Sequence, residues 1–590
     1  MSKKRPEVRL DGVAASPGIA IGPVKVLGDD SVTVQLQPLQ KDDVQSELSK
    51  FEEACRRSKQ DLETLYHKTL DAFDENTAQI FKVHQALLDD PMVVDKTRKR
   101  ISKEAVNADY AFDQVMNGYM SILEGMQDEV FKARKTDILD LKNRVIRYIQ
   151  GDVASNQVSF DEPSIVFARE LTPSATIRLD REHLLGFAMD FGGRTSHATI
   201  LARSIKVPAV VGLKEASEHI TDGCLVILDG EKGILIANPS ERTVARYKKR
   251  YNEYLSFERK LESIKSLPAR TKDGKNIDLA SNIEFPNEIA NIHELQGHGI
   301  GLYRTEYLFL AVAEPPTEEQ QFKEYTQILE RLSGSPLIIR TFDLGGDKSP
   351  QFLSLKGEAN PFLGVRGVRL YRNSGHVLFR TQLRAILRAS AYGEVQIMFP
   401  MIACVSELRY CRQVLEEVKN ELKKQGHAFD NDIPIGAMIE VPSAATTADL
   451  IAEECNFLSI GTNDLIQYTT AVDRGNKDLT YLYEPYNPAV LRLIKDTITK
   501  GHQKGVWVGM CGEMASDPLM TMVLIGMGLD EFSVSPVSHL TIKEIIRHVE
   551  VSECDNLAHK SMMYSTSEEV EAYLRDIFHK KFKNLLFAAR

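Results

Sequence analysis

The chain has 590 residues, of which 43% are hydrophobic and 26% charged, with a net charge of −10 at pH 7. That length predicts three or four domains, and the negative balance argues against nucleic acid or an anionic membrane surface as the main partner. Seven scattered cysteines without C-x-x-C pairs exclude a disulfide framework or a cysteine zinc site, and no apolar run reaches the length of a signal core or membrane span. The expectation is a cytoplasmic chain with reduced thiols and no membrane insertion.

Taken in order, residues 8–27 alternate and are punctuated by Gly12, Pro17, Gly18, Gly22 and Pro23, which predicts strands and tight turns. From Lys41 to Gln150 the character changes. Apolar residues recur at three and four (Phe51, Leu62, Leu65, Leu70; Ile80, Val83, Leu87, Leu88), predicting four or so amphipathic helices in a bundle. The bundle reads equally as a structural insertion or as a partner-docking surface. Strand and helix signals then alternate. Ser164–Ala168 is a strand, Leu171–Thr176 opens a helix with proline near its first turn, and Gly186–Asp190 leads into Gly192-Gly193-Arg194-Thr195-Ser196-His197. Cys224–Gly230 and Gly233–Pro239 close this β/α unit.

The glycines permit a tight turn, and Thr195 and Ser196 suit a helix N-cap. His197 then falls in the first turn, beside free N–H groups and the positive end of the dipole. That setting favours a neutral imidazole and would hold phosphoryl oxygens. Alone, the pattern fits a packed histidine in a capping turn as well as a phosphoryl-accepting nucleophile.

Ser240–Leu267 lacks Gly and Pro and predicts a charged linker helix on the order of 40 Å long. After Pro268 eight candidate strands alternate with helices: Ile277–Ser281, Gly299–Tyr303, Leu337–Thr341, Val395–Phe399, Ile435–Ile439, Phe457–Ile460, Val506–Met510 and Glu531–Val534. Eight βα units predict a TIM barrel with its site at the C-terminal strand ends. Reactive side chains fall there: Arg304 and Glu306, Arg340 and Asp343, Glu440, Asn463 and Asp464 with Arg474 a little beyond, then Cys511, Gly512 and Glu513. Glu440 and Asp464 suit a hard cation, Mg²⁺ by availability although Mn²⁺ fits too. Three arginines supply forks for a phosphate and a carboxylate, both present in phosphoenolpyruvate. Lys348 and Arg366 are further phosphate contacts or structural ion pairs. A thiol at Cys511 can protonate the enolate left when phosphate departs. The other six cysteines lack such a setting.

The His197 run resembles the phosphohistidine loop of enzymes that exchange phosphoryl groups with phosphoenolpyruvate: Enzyme I of the bacterial sugar phosphotransferase system, pyruvate phosphate dikinase and phosphoenolpyruvate synthase. Gly299–Glu306, Ile339–Lys348, Leu458–Tyr468, Ala471–Asn476 and Met510–Glu513 are similar to the motifs of the Enzyme I family, in family order along nearly the whole chain. The segment Ile80–Pro91, which carries His84, resembles that family's helical subdomain for docking the phosphocarrier HPr. The resemblance implies that His197 is phosphorylated on Nε2 and passes the group to HPr. It implies that Arg304, Arg340, Asn463, Asp464 and Arg474 bind phosphoenolpyruvate, that Glu440 and Asp464 hold Mg²⁺, and that Cys511 donates the proton. It also implies a homodimer formed through the barrel.

The expected organisation is multidomain α/β. A phosphohistidine β/α domain (1–33 and 151–239) carries an inserted bundle (34–150). A linker helix (240–267), a TIM (β/α)8 barrel (268–575) and a tail (576–590) follow. Residues before 151 read as helices and strands without a phosphate-binding G-x-x-x-x-G-K-[ST] loop, against a dikinase or synthase. The full set of histidine, arginines, carboxylates and thiol argues against a non-catalytic regulator. A nitrogen-type paralogue commonly carries an N-terminal sensory domain, which the sequence does not show. Because His197 and the barrel site lie in different domains, the histidine domain is expected to swing about the linker and a hinge near Gly151.

Overall fold

In a computed structural model the described residues are 6–27, 32–40, 42–72, 75–124, 135–151, 160, 162–171, 173–177, 179, 183–192, 199, 202, 205, 207–289, 295, 297–310, 312, 314–346, 350, 352–353 and 358–582. The chain forms two compact units, Met1–Leu255 and Ser256–Arg590.

The first unit is built on eight strands. They are β1 (Val8–Asp11), β2 (Val13–Ser16), β3 (Ile19–Val26), β4 (Ser164–Ala168), β5 (Leu184–Met189), β6 (Ala209–Val211), β7 (Leu225–Asp229) and β8 (Ile234–Ala237). Their order is β1-β8-β7-β3-β4-β5-β6-β2. The central β3-β4-β5-β6 pairs are parallel, and the flanking pairs are antiparallel. β4 is buried along its whole length, as a strand covered on both faces must be. Its apolar side chains divide between two cores, one holding Val166 and Phe187, the other Ile165 and Phe167.

Between β3 and β4 the described residues form five helices, in line with the four or so that the periodicity suggests. They are α1 (Val44–Ala72), α2 (Glu75–Leu87), α3 (Pro91–Glu104), α4 (Ala108–Glu124) and α5 (Lys135–Gln150). One division falls at Asp90-Pro91. Proline occupies the first turn of α3, and Asp90 Oδ1 accepts the Met92 N–H at 2.8 Å. Phe51 and Phe112 meet at 5.7 Å in the bundle core. His84 is buried there edge-on to Phe81, at 6.0 Å and 88°. Arg144 ties the bundle to the short helix Pro173–Ile177 that follows β4: Nη1 donates to Asp61 Oδ2 at 3.1 Å, and Nη2 to Ser174 Oγ at 2.6 Å.

Helix α6 (Glu241–Ser263) stops short of Leu267. Residues preceding Pro268 are steered away from helical geometry, and the chain leaves through short-range turns at Ile264 and Leu267. In the second unit Phe257, Leu261 and Ile264 join the barrel core. Lys543 Nζ donates to the carbonyls of Lys265 (2.9 Å) and Leu295 (2.8 Å), and Arg547 Nη1 to that of Pro268 (2.6 Å).

Eight strands close into a barrel in chain order, with every neighbouring pair parallel. The strands are β9 (Asp278–Ile283), β10 (Ile300–Arg304), β11 (Leu337–Arg340), β12 (Val395–Phe399), β13 (Ile435–Ile439), β14 (Phe457–Ile460), β15 (Trp507–Met510) and β16 (Glu531–Val534). Outward residues pack on the helices. Inward ones form a second, smaller core of Leu302, Ile338, Met398, Met438, Phe457 and Cys511, closed below by Trp507 stacked on Phe457 at 4.7 Å. At the far end a helix, Ser567–Lys581, runs past residue 576, and Phe578 and Phe582 are buried, so the chain is packed further than a tail from 576 implies. Among the described residues no helix is long and apolar enough to cross a membrane.

Candidate active site

The C-terminal ends of the barrel strands enclose a pocket of about 430 Å³, solvent included, lined by Arg304, Arg340, Asp343, Arg366, Glu440, Asn463, Asp464, Arg474 and Cys511. Strands β10, β11, β13 and β15 deliver Arg304, Arg340, Glu440 and Cys511, each as the last residue of its strand or the one after it. The helix Thr462–Thr470, following β14, carries Asn463 and Asp464 in its first turn, and its left-handed cap at Ala471 turns the chain towards Arg474. The two remaining sequence candidates, His197 and Lys348, lie outside the described residues.

Charges alternate across the floor. Arg340 Nη2 donates to Glu306 Oε2 at 2.8 Å, and its Nη1 lies 3.7 Å from Asp343 Oδ2. Arg366 holds Asp343 through Nε (3.0 Å) and Nη2 (2.8 Å), and Asp464 through Nη1 (2.8 Å) and Nη2 (3.0 Å). Arg474 approaches Asp464 at 4.0 Å and stays more open, at 28% side-chain exposure. Arg366, 1% exposed, is thus a strut between two carboxylates. Burial works to lower the pKa of both Arg340 and Arg366. For Arg340 the fields of Glu306, Asp343 and Glu440 outweigh burial, and for Arg366 the Asp343 and Asp464 carboxylates do, so each stays above the usual guanidinium value. The buried Nε groups of Arg304 and Arg340 make no hydrogen bond among the described residues.

Glu440 is buried, and its carboxyl is raised well above the ordinary value by burial first and then by Asp464 and Asp343. Met401 N–H donates to its Oε1 at 2.6 Å. Its Oε2 faces Gly461, where a Cβ would sit only 2.8 Å away. Two buried carboxyls side by side, Glu440 and Asp464, form a donor set that fits a hard cation, whose charge would offset their repulsion. Cys511 is 2% exposed, and burial pushes its thiol up to about 11, so it remains an S–H acid at neutral pH.

Three supporting residues carry no reactive signature in the sequence. Gln382 accepts the Phe342 N–H at 2.9 Å and donates to Thr305 Oγ1 at 3.0 Å; Thr305 Oγ1 donates to the Arg340 carbonyl at 2.9 Å. Tyr371 OH donates to the Phe342 carbonyl at 2.6 Å. The available clue is Gln382 itself, a polar residue between Phe379, Leu383 and Ile386 on the buried face of its helix.

With this geometry in view, comparison with known proteins is specific. Profiles of the PEP-utilising enzymes match the chain in three blocks: the N-terminal domain over 11–134, the mobile domain over 160–233 and the PEP-binding domain over 258–551. The phosphoenolpyruvate-protein phosphotransferase of Bacillus subtilis is 43% identical over 96% of this chain and 99% of its own. The chain belongs to the phosphoenolpyruvate-protein phosphotransferase family. The phosphotransferase of Priestia megaterium is likewise 43% identical, over 97% of this chain and 99% of its own length. Among solved structures, the solution structure of Enzyme I (nEIt) protein matches 42% of this chain and 99% of that chain, at 40% identity and a TM-score of 0.37.

Proposed function

We propose that this phosphotransferase moves the phosphoryl group of phosphoenolpyruvate onto its own His197 and then to a histidine of HPr, releasing pyruvate as the first step of a sugar phosphotransferase system. The observation that carries the reading is the convergence of three arginines, a buried carboxylate pair and a protonated thiol in one barrel mouth. Arg304, Arg340 and Arg474, with Asn463 and Lys348, bind the phosphate and carboxylate of the substrate. Arg366 keeps Asp343 and Asp464 in place and contributes charge to the phosphate side. Glu440 and Asp464 hold Mg²⁺, which when bound neutralises substrate oxygens and steadies the enolate charge.

Transfer needs the His197 Nε2 in line with phosphorus at about 3–3.5 Å. As the P–O bond breaks, its electrons pass into the enolate, and the Cys511 S–H protonates the methylene carbon to give pyruvate. The phosphohistidine domain (1–33 and 151–239) then turns from the barrel (268–575) towards HPr docked on the bundle (34–150), with motion about the 240–267 segment and Gly151. The enzyme works in the cytoplasm as a homodimer paired through its barrels.

The test is a transfer assay with phosphoenolpyruvate, Mg²⁺ and purified HPr, followed by mass spectrometry of HPr. Phosphorylated HPr is expected with wild type and none with His197→Ala. Equal labelling by both proteins would overturn the reading.

A further inference from the structure

The barrel bore below the pocket holds an acid that the mechanism above leaves unused. Ser459 on β14 stands opposite Gly509 on β15, and Gly509 opposite Glu531 on β16. Glu531 is 5% exposed, and among the described residues its Oε1 has no hydrogen-bond partner, while the buried Ser459 Oγ has none apart from the Cys511 thiol. Two side-chain-free positions make room for the carboxyl. A Cβ on Gly301 would lie 2.8 Å from Glu531 Oε1 and 2.4 Å from Ser533 Oγ, and one on Gly509 would lie 3.1 Å from the same Oε1. Buried polar groups normally find partners, so the unpaired Glu531 Oε1 and the Ser459 hydroxyl, on either side of one glycine, mark a polar path in a bore that also holds Ser533 and Asn282.

That path leads to the thiol. Cys511 follows Gly509 by two residues, on the same inward face, and Ser459 Oγ is the neighbouring hydroxyl that favours its thiolate. Each pyruvate formed leaves Cys511 as a thiolate, 2% exposed, which must regain a proton before the next turnover. We propose that Glu531 is the proton store that recharges Cys511 through Ser459 and water in the bore. The inference rests on the phosphotransfer reading above.

The step balances. The thiolate sulfur takes the Ser459 hydroxyl proton, the serine oxygen takes one from water, and that water takes one from the Glu531 carboxyl, which becomes a carboxylate. Glu531 then regains a proton from solvent at the amino-terminal mouth. There Asp278, its partner on β9, is 52% exposed and lies 3.6 Å from His298. Burial, helped by Asp278, pushes the Glu531 carboxyl up to about 8, so it holds its proton at neutral pH and yields it to a thiolate whose acid lies near 11. Asp278 on β9 is the charged group acting on it; β15 beside it presents Trp507 and Gly509, and Gly301 faces it from β10.

The test is quench-flow measurement of pyruvate release by the full chain with phosphoenolpyruvate, Mg²⁺ and HPr. In Glu531→Gln, which keeps the shape but not the transferable proton, the first turnover should match wild type. Later turnovers should slow on the order of tenfold to a hundredfold, giving a burst of one pyruvate per site. Ser459→Ala, a small change in the core, should show the same burst and keeps the test open if the glutamine variant fails to fold. Unchanged steady turnover in a folded variant, or first and later turnovers slowed alike, would overturn the relay. Absence of pyruvate and phosphohistidine in wild type itself would instead overturn the functional reading.

Discussion

The chain contains two eight-stranded sheets that solve opposite problems. The N-terminal one is open and mixed, and its strands bury apolar side chains on both faces with few ionised groups. The C-terminal one is closed and parallel, and it gathers Glu306, Arg340, Asp343, Arg366, Glu440 and Asp464 in a water-poor mouth, all 6% exposed or less. An isolated charge could not remain there; the alternation of signs lets the set persist and fixes each fork against its neighbours. The barrel therefore supplies preorganised electrostatics. In the proposed mechanism the sheet unit supplies one nucleophile, His197, to the barrel site.

Four substitutions would break or sharpen that contrast. The largest effect is expected for Arg340→Lys. An ammonium keeps the charge but cannot span Glu306 and Asp343, and a disrupted buried pair costs about 3–5 kcal/mol. Pyruvate formation, measured as kcat/KM, should fall on the order of a thousandfold; a loss below about tenfold would show that charge alone suffices. Cys511→Ala comes next. Turnover should drop on the order of a hundredfold or more while substrate binding by calorimetry hardly changes, and unaltered turnover would mean that another group is the acid.

Glu306→Gln should act more mildly, on the order of tenfold to a hundredfold. It retains a partner for the Asp343 N–H, 2.9 Å away, but removes the charge facing Arg340. The smallest effect belongs to the sheet. Asp190 accepts the N–H groups of Ala216 (2.7 Å) and Ser217 (3.1 Å), so Asp190→Asn should cost about 1 kcal/mol of unfolding free energy in that unit. Phosphoenolpyruvate binding at the barrel should be untouched, and weakened binding would show that the two units are not chemically separate.

A pH profile separates the units further. The Glu531 carboxyl lies at about 8 in the folded chain against an ordinary 4.5, so the folded state holds a proton that the unfolded chain releases. Stability of the barrel should decline as pH rises from about 4.5 to 8, and in urea titrations Glu531→Gln should make that decline shallower, leaving the share that the raised Glu440 carboxyl contributes. A wild-type midpoint flat across that window would place the carboxyl among the ordinary ones.

Much of the barrel is legible in the sequence because its strands are short apolar runs between turn signals. Val395–Phe399, Ile435–Ile439, Phe457–Ile460 and Glu531–Val534 begin and end in the structure where the pattern places them. The clustering of reactive residues at strand ends is legible for the same reason: closure of the barrel turns position along a strand into position around a mouth. What pairing each charge finds is not legible. Arg366 and Asp464 are 98 residues apart, and only the fold shows that the arginine is held between two carboxylates. Glu531 heads an apolar strand, and no local signal reveals that the glycines at 301 and 509 clear a space for it inside the bore.

The central claim is that the barrel's chemistry serves one histidine of the sheet unit. It is tested most directly by intact mass after incubation with phosphoenolpyruvate and Mg²⁺, without ATP, for wild type and His197→Ala. One acid-labile phosphoryl group on wild type and none on the variant is the expected result. A label that survives in the variant, or wild type that stays unlabelled without ATP, would contradict it.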